Sequence, residues 1–242
     1  MLQKKKQINM SKKDYYIIEK NISKLYMEEP TNFLDITTYK NIIDKLKNIK
    51  YKTYYPYPDS EKNIIYIDKL PTIKLLEIIS YDKLTHREIL GSMYGLNIDN
   101  SLYGDIIITN NHYYIIIIDT IYNLIINNLF MIGNHHIKLK EVSLDILNNY
   151  HREYEDITLI VSSLRIDNII SNLIGTSREG IKKKFLNDEI ILNYTPCHKL
   201  NYTLKENDIF SIKKNGKYIF NGVINKTKKD NYIIKIKKYI DN

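Results

Sequence analysis

Apolar side chains at Tyr15, Ile18, Ile22, Leu25 and Tyr26 recur at helical spacing, which predicts an amphipathic helix over residues 14–27 closed by Glu29-Pro30. A second helix is expected over 38–49, with Ile42, Ile43 and Leu46 inward. Segments 51–57 and 63–68 read as strands around Pro56, Pro58 and Asp59. Residues 1–72 are thus expected to form a small N-terminal α+β section.

From residue 73 the pattern changes. Segment 73–80 reads as a strand, and 85–96 as a helix opened by a capping box of Thr85 and Glu88. Strands over 106–109 and 113–118 are joined by Asn110-Asn111, a tight-turn pair. A helix over 120–130 ends at Gly133, and 137–142 is a last strand. This order predicts a ferredoxin-like, RRM-like β-α-β-β-α-β domain over 73–150. The aromatic signature of RRM domains is not visible. Tyr113 and Tyr114 could stack on bases, with packing the plainer explanation.

In the last third, Leu164, Ile166, Ile169, Ile170, Leu173 and Ile174 form a helical stripe closed by Gly175. Thr176 and Glu179 suggest a second capping box, opening a helix to about Leu186 with Ile181, Phe185 and Leu186 inward. Gly180 inside that helix should cost about 1 kcal/mol relative to Ala. Strands are expected over 189–193, near Leu204, and over 209–213, 218–224 and 232–237.

Charge separates this third from the rest. Residues 158–242 hold 16 Lys and Arg against 8 Asp and Glu, a net of +8, while the first 157 residues hold 20 of each. A coding bias toward Lys would charge the whole chain, so the asymmetry points to a polyanionic partner rather than to solvated basic faces. The single cysteine, Cys197, excludes a disulfide within the chain and suits a reducing compartment. The basic start, with Met10 as an alternative first residue, is not followed by a signal-like apolar run. The apolar stretch 115–131 is interrupted by Asp119, Asn123, Asn127 and Asn128. No membrane partner is expected, and the cytoplasm is the expected location.

Ser162-Ser163-Leu164-Arg165-Ile166-Asp167, then Ser177-Arg178, Ile190-Ile191-Leu192-Asn193 and Asn207-Asp208-Ile209-Phe210-Ser211-Ile212, resemble the alpha-L RNA-binding motif named for ribosomal protein S-four. Upstream, Phe33-Leu34-Asp35, His86-Arg87-Glu88-Ile89-Leu90-Gly91 and Tyr103-Gly104-Asp105-Ile106 resemble the YlmH family, so the likeness spans almost the whole chain. The resemblance implies an α+β protein with a C-terminal S-four-type RNA-binding domain over 158–242. It implies ribosomal RNA or tRNA and the large ribosomal subunit as partners, in the rescue of stalled peptidyl-tRNA complexes. Two features depart from the pattern. Asp188 stands where a turn glycine is usual. The basic loop Lys213-Lys214-Asn215-Gly216-Lys217 keeps charge but lacks the aromatic and both guanidinium groups.

The expected RNA contacts are Arg165, Ser177, Arg178, Lys182, Lys183, Lys213, Lys214 and Lys217. Planar guanidinium groups suit phosphate, and a helix start presents unpaired N–H groups to an anion. The alternatives are an ion pair of Arg165 with Asp167 or of Arg178 with Glu179, and plain capping by Ser177. Of Lys182, Lys183 and Lys184, helical spacing lets one or two face a ligand. A catalytic role for His86 and Arg87, at a helix start, would need a base or nucleophile that the sequence does not point to, and domain packing or ribosome contact is the expected role. His135 and His136 should point to opposite faces, and one cysteine builds no zinc pattern. No Gly-x-x-x-x-Gly-Lys loop is present. The expectation is a non-enzymatic RNA-binding factor with no cofactor, metal or small-molecule substrate. The competing readings are an rRNA-modifying pseudouridine synthase or methyltransferase, and a cell-division adaptor with secondary RNA binding.

Overall fold

The structure is a computed structural model that describes residues 12–109 and 112–240, so the Asn110-Asn111 turn lies outside the described residues. The fold is α+β, and the chain divides into two compact units between His151 and Arg152.

In the first unit, α1 (Lys12–Tyr26) packs on α2 (Ile36–Lys45) and on a small antiparallel sheet of β1 (Leu34–Asp35), β2 (Lys52–Tyr54) and β3 (Lys62–Tyr66). Ile18, Ile22, Leu25, Leu34, Ile42 and Ile65 form their core. Helix α2 starts and stops earlier than its apolar spacing suggests. Asp35 caps it by accepting from the Thr37 and Thr38 N–H groups at 2.9 Å each, and the backbone turns extended at Leu46.

The middle segment builds β4 (Ile73–Ser80), α3 (His86–Gly95), β5 (Tyr103–Thr109), β6 (His112–Ile118), α4 (Tyr122–Asn128), β7 (Met131–Ile132) and β8 (His135–Val142). Its sheet runs β5-β6-β4-β8-β7, antiparallel throughout. The capping box of Thr85 and Glu88 opens α3. Strand β6 explains the long Ile run. Ile115 and Ile117 face Ile89 and Met93 of α3 and Ile125 of α4, while Ile116 and Ile118 face Phe33, Tyr57, Ile64 and Leu147. The sheet is therefore buried on both faces over this stretch, and residues before 73 share its second core. Lys62 ties the same parts together. Its ammonium donates to the Asn100 backbone and side-chain oxygens at 2.7 and 2.8 Å and to the Tyr103 carbonyl at 2.8 Å. Burial pushes this lysine down to about 8, against the pull of Asp105, Asp35 and Asp99.

The second unit opens with a strand that the sequence pattern does not announce, β9 (Tyr154–Val161), which puts its start ahead of residue 158. There follow α5 (Ile166–Ile174), α6 (Arg178–Leu186), β10 (Ile190–Leu192), β11 (Thr195–Pro196), β12 (Ile209–Ile212), β13 (Gly216–Lys226) and β14 (Tyr232–Tyr239). The sheet order is β11-β10-β12-β13-β14-β9. Ile166, Ile169 and Ile170 of α5 and Ile181 and Phe185 of α6 pack on one sheet face, against Ile190, Phe210, Phe220, Ile234 and Ile236. Leu186 does not join them and is 81% exposed, because α6 ends there and turns its last residue outward. Near Leu204 there is an isolated bridge between Arg165 and Thr203 instead of a strand. Asp188 takes φ +53°, the left-handed geometry for which glycine is usual and which Asp tolerates.

The start of α6 also differs from the expected capping box. Ser177, not Thr176, is the cap, with its hydroxyl accepting from the Gly180 N–H at 3.2 Å. Gly180 is not a simple weakness. A Cβ there would lie 2.5 Å from the Thr176 Cγ2. Gly180→Ala should therefore fail to deliver the gain of about 1 kcal/mol that helix propensity alone promises. Thermal unfolding checks this, and a full gain would show that Thr176 moves aside without cost.

Candidate nucleic-acid interface

The chain enters α5 along a polar rim. Ser162 and Ser163 follow β9, and both hydroxyls accept from the Asn168 side-chain amide, at 2.8 and 2.9 Å. Segment 199–204 pins the start of α5 through Ile166 N–H to Tyr202 carbonyl at 2.8 Å and Leu204 N–H to Leu164 carbonyl at 3.0 Å. At the far end, Gly175 (φ +61°) stops α5, and the Ser171 hydroxyl donates to the Thr176 carbonyl at 2.6 Å. This short connection lays α6 beside α5.

Between the helices lies a cleft of about 380 Å³, with Ile181 and Leu200 among apolar walls and Ser162, Ser163, Asn168 and Ser171 among polar ones. Arg165, Asp167, Arg178 and Lys182 bring charge to it. Arg165 grips Asp167 with two bonds, Nε to Oδ1 at 3.1 Å and Nη2 to Oδ2 at 2.7 Å. Burial would raise the Asp167 carboxyl, but the guanidinium and the Asn168 N–H hold it below the ordinary carboxylate range. The pair fixes the Arg165 guanidinium at the rim and leaves its remaining N–H groups for a ligand.

Arg178 and Lys182 are one turn apart on α6, so their side chains share a face. Both are exposed and neither has a carboxylate partner among the described residues. Three cations against one carboxylate make the cleft a net-positive concavity at a helix start, which suits a phosphate group.

The other expected contacts sit elsewhere. Ser177 spends its hydroxyl as an acceptor in the α6 cap. Lys183 is exposed but does not line the cleft, and Lys184 pairs with Glu189 at 2.8 Å. Lys213 and Lys214 are exposed on the turn between β12 and β13. Lys217 lies over the rings of Tyr194 and Tyr239. Ser162, Ser163, Asn168, Ser171 and Leu200 line the cleft without being among the expected contacts. The one signal for them in the sequence is the polar pair Ser162-Ser163 just before an apolar stripe.

In the first unit, Tyr113 and Tyr114 are 2% and 8% exposed, so packing accounts for both. The Tyr113 hydroxyl accepts from the Leu84 N–H at 3.0 Å. His135 contacts Asp82 at 2.9 Å, while His136 is exposed. Among the described residues no cluster of His, Cys, Asp and Glu could hold a metal ion, and Cys197 is buried.

Comparison with known proteins adds to this geometry. The chain is 25% identical over 170 residues to "Ribosome-associated protein quality control protein P2" of Bacillus subtilis (strain 168), covering 70% of this chain and 62% of that protein. It therefore spans under two thirds of the length of the curated relative it matches. The solved structure "Cell division protein ylmH from Streptococcus pneumoniae" is similar at a TM-score of 0.48 and 20% identity, over 59% of this chain and 98% of that one. Residues 72–145 match the family model described as "Putative RNA-binding domain in YlmH". Over that segment the chain is similar to the YlmH-like proteins.

Proposed function

We propose that the protein is an RNA-binding, ribosome-associated factor in translation quality control, acting on the large subunit and tRNA where peptidyl-tRNA complexes have stalled. The observation that carries the reading is the cleft between α5 and α6, where Arg178 and Lys182 present charge that no carboxylate among the described residues neutralises. Residues 158–242 with β9 act in this reading as the S-four-type RNA-binding domain, and the name of the Bacillus relative supplies the ribosomal context. The role is binding rather than catalysis, and it is exercised in the cytoplasm. No helix among the described residues is long and apolar enough to cross a membrane.

Sedimentation with ribosomal subunits at graded salt tests this. The protein should travel with the large subunit at low salt. Its affinity for structured RNA should fall as log salt rises, with a slope of about −2 to −3 for three phosphate contacts. Migration with small subunits, or a slope near zero, would overturn the assignment. Mass mapping of ribosomal RNA with and without the protein should show no modification missing.

A further inference from the structure

In the first unit, the sheet β5-β6-β4-β8-β7 has one face under α3 and α4, where Ile137 and Leu139 of β8 point. Its second face is covered only in part. Phe33, Tyr57 and Leu147 pack there on Leu75, Ile107, Ile116 and Ile118. Strand alternation places Glu77 and Ile79 of β4, His112 of β6, and His136, Lys138 and Lys140 of β8 on the same face, beyond that cover. Register sets them side by side, because Glu77 is opposite Lys140 and Ile79 is opposite Lys138. Ile78 is opposite Tyr113, so Ile79 lies between His112 and Lys138. Ile79 is 44% exposed, and His112, His136, Lys138 and Lys140 are exposed with it.

The charge on this stretch is uncompensated. Glu77 spends its carboxylate on His112, with Oε1 3.2 Å from Nδ1, and Glu141, on the helix side, pairs with Lys74 at 3.0 Å. Lys138 and Lys140 have no carboxylate partner among the described residues. The first 157 residues are neutral in sum, so the excess here is local. Two residues apart on a strand, the lysines stand about 6.8 Å from each other, or two rises of about 3.4 Å. That matches the step between successive phosphates of an extended strand. Beyond His136 the outer edge of β8 has no strand neighbour among the described residues. Lysines on a bare edge also deter strand pairing, but that task needs no rings nearby. Here rings are present. The His112 ring lies parallel to Tyr114, with centroids 6.2 Å apart and planes at 9°, and Tyr81, directly after β4, is fully exposed. Cations set beside flat rings fit a nucleic-acid strand whose bases are unpaired. A duplex keeps its base faces inside its own stack.

We propose that this open part of the sheet is a second RNA surface, separate from the cleft between α5 and α6, and that it takes an unpaired RNA segment. Phosphates lie at Lys138 and Lys140, and bases stack on His112 and Tyr81 with Ile79 beneath them. The inference rests on the reading that the protein binds RNA, but it does not need the cleft. One surface in each unit would let the chain hold a folded RNA and a single strand at once.

The test uses the full chain, two probes and a small set of variants. The probes are an oligouridylate of about 12 nucleotides, which has no secondary structure, and a stable RNA hairpin. Lys138→Gln with Lys140→Gln should weaken oligouridylate binding about tenfold or more, flatten its salt slope by about 1.4, and change hairpin binding less than about twofold. Arg178→Glu with Lys182→Glu should do the reverse. Lys138→Arg with Lys140→Arg should keep oligouridylate binding, which separates loss of charge from loss of fold. Tyr81→Ser should weaken oligouridylate binding about fivefold or more without altering its salt slope, since it removes a ring and no charge. All three side chains are exposed, so the melting temperature should not move. Wild-type protein that ignores oligouridylate at low salt would overturn the proposal. So would unchanged oligouridylate binding by the Gln pair, or equal loss of both probes. A dimer in sedimentation that the Gln pair dissociates would also overturn it, by making a second copy the occupant. Wild-type protein that binds oligouridylate but ignores the hairpin would sink the cleft and leave this face standing.

Discussion

Arg178→Glu combined with Lys182→Glu should lower affinity for structured RNA by at least about a hundredfold while leaving the fold in place. Each side chain is exposed, lines the cleft and lacks a carboxylate partner among the described residues, so removing it breaks no internal ion pair. A charge-assisted hydrogen bond to phosphate contributes about 1.5–3 kcal/mol. Removing two such bonds together costs about 3–6 kcal/mol, or two to four orders of magnitude in affinity. The salt slope should flatten by about 1.4 to 1.8, because two phosphates are no longer neutralised. Stability should hold within about 0.5 kcal/mol per surface change. Position 178 opens α6, where a carboxylate meets the positive end of the helix and is welcome. That sign difference is the strength of the test, since the variant favours the helix and opposes the RNA. Affinity within a few fold of wild type, with unfolding unchanged, would remove α6 from the interface.

Much of the architecture can be read from side-chain periodicity, and the failures have physical causes. Strand β4 and the Thr85–Glu88 cap are local patterns, and both stand where the spacing puts them. Strands β1, β7 and β11 have two residues each, too few for any period to show. Strand β9 is hidden because its partner, β14, lies more than seventy residues away, and because its exposed edge mixes Glu155 and Asp156 with apolar residues. At the start of α6, Thr176 and Ser177 are both competent caps, and the left-handed Gly175 decides between them by ending α5. The eight expected RNA contacts follow from charge and helix position, which are sequence properties. Their grouping is a packing property. Arg165, Arg178 and Lys182 meet because α5 and α6 are folded against each other by buried Ile169, Ile170, Ile181 and Phe185, whereas Lys217 goes to the opposite face because strand alternation sends it there. The Arg165–Asp167 pair is visible as an alternative from two-residue spacing, and it coexists with a place at the cleft.

Phe185→Ala should be among the most damaging single changes in the second unit, costing about 3–5 kcal/mol. The ring is 1% exposed and fills the space between α6 and the sheet, in one core with Ile169, Ile170, Ile190 and Phe210. Truncation strips out that packing and leaves a cavity that a helix pinned at Ser177 and at Asp188 cannot easily close. The two units have separate cores. Unfolding should therefore split, with the second unit melting early and the first near its wild-type temperature. Leu186→Ala is the matched control, because the neighbouring residue is 81% exposed and its truncation should stay within about 0.5 kcal/mol. RNA binding should fall with Phe185→Ala only as the second unit unfolds, so cooling should restore it, unlike the charge reversal at Arg178 and Lys182. Hydrogen exchange resolved along the chain reads both effects at once. Equal loss of protection in the two units would show that their cores are coupled, and damage from Leu186→Ala matching that from Phe185→Ala would show that α6 is seated differently.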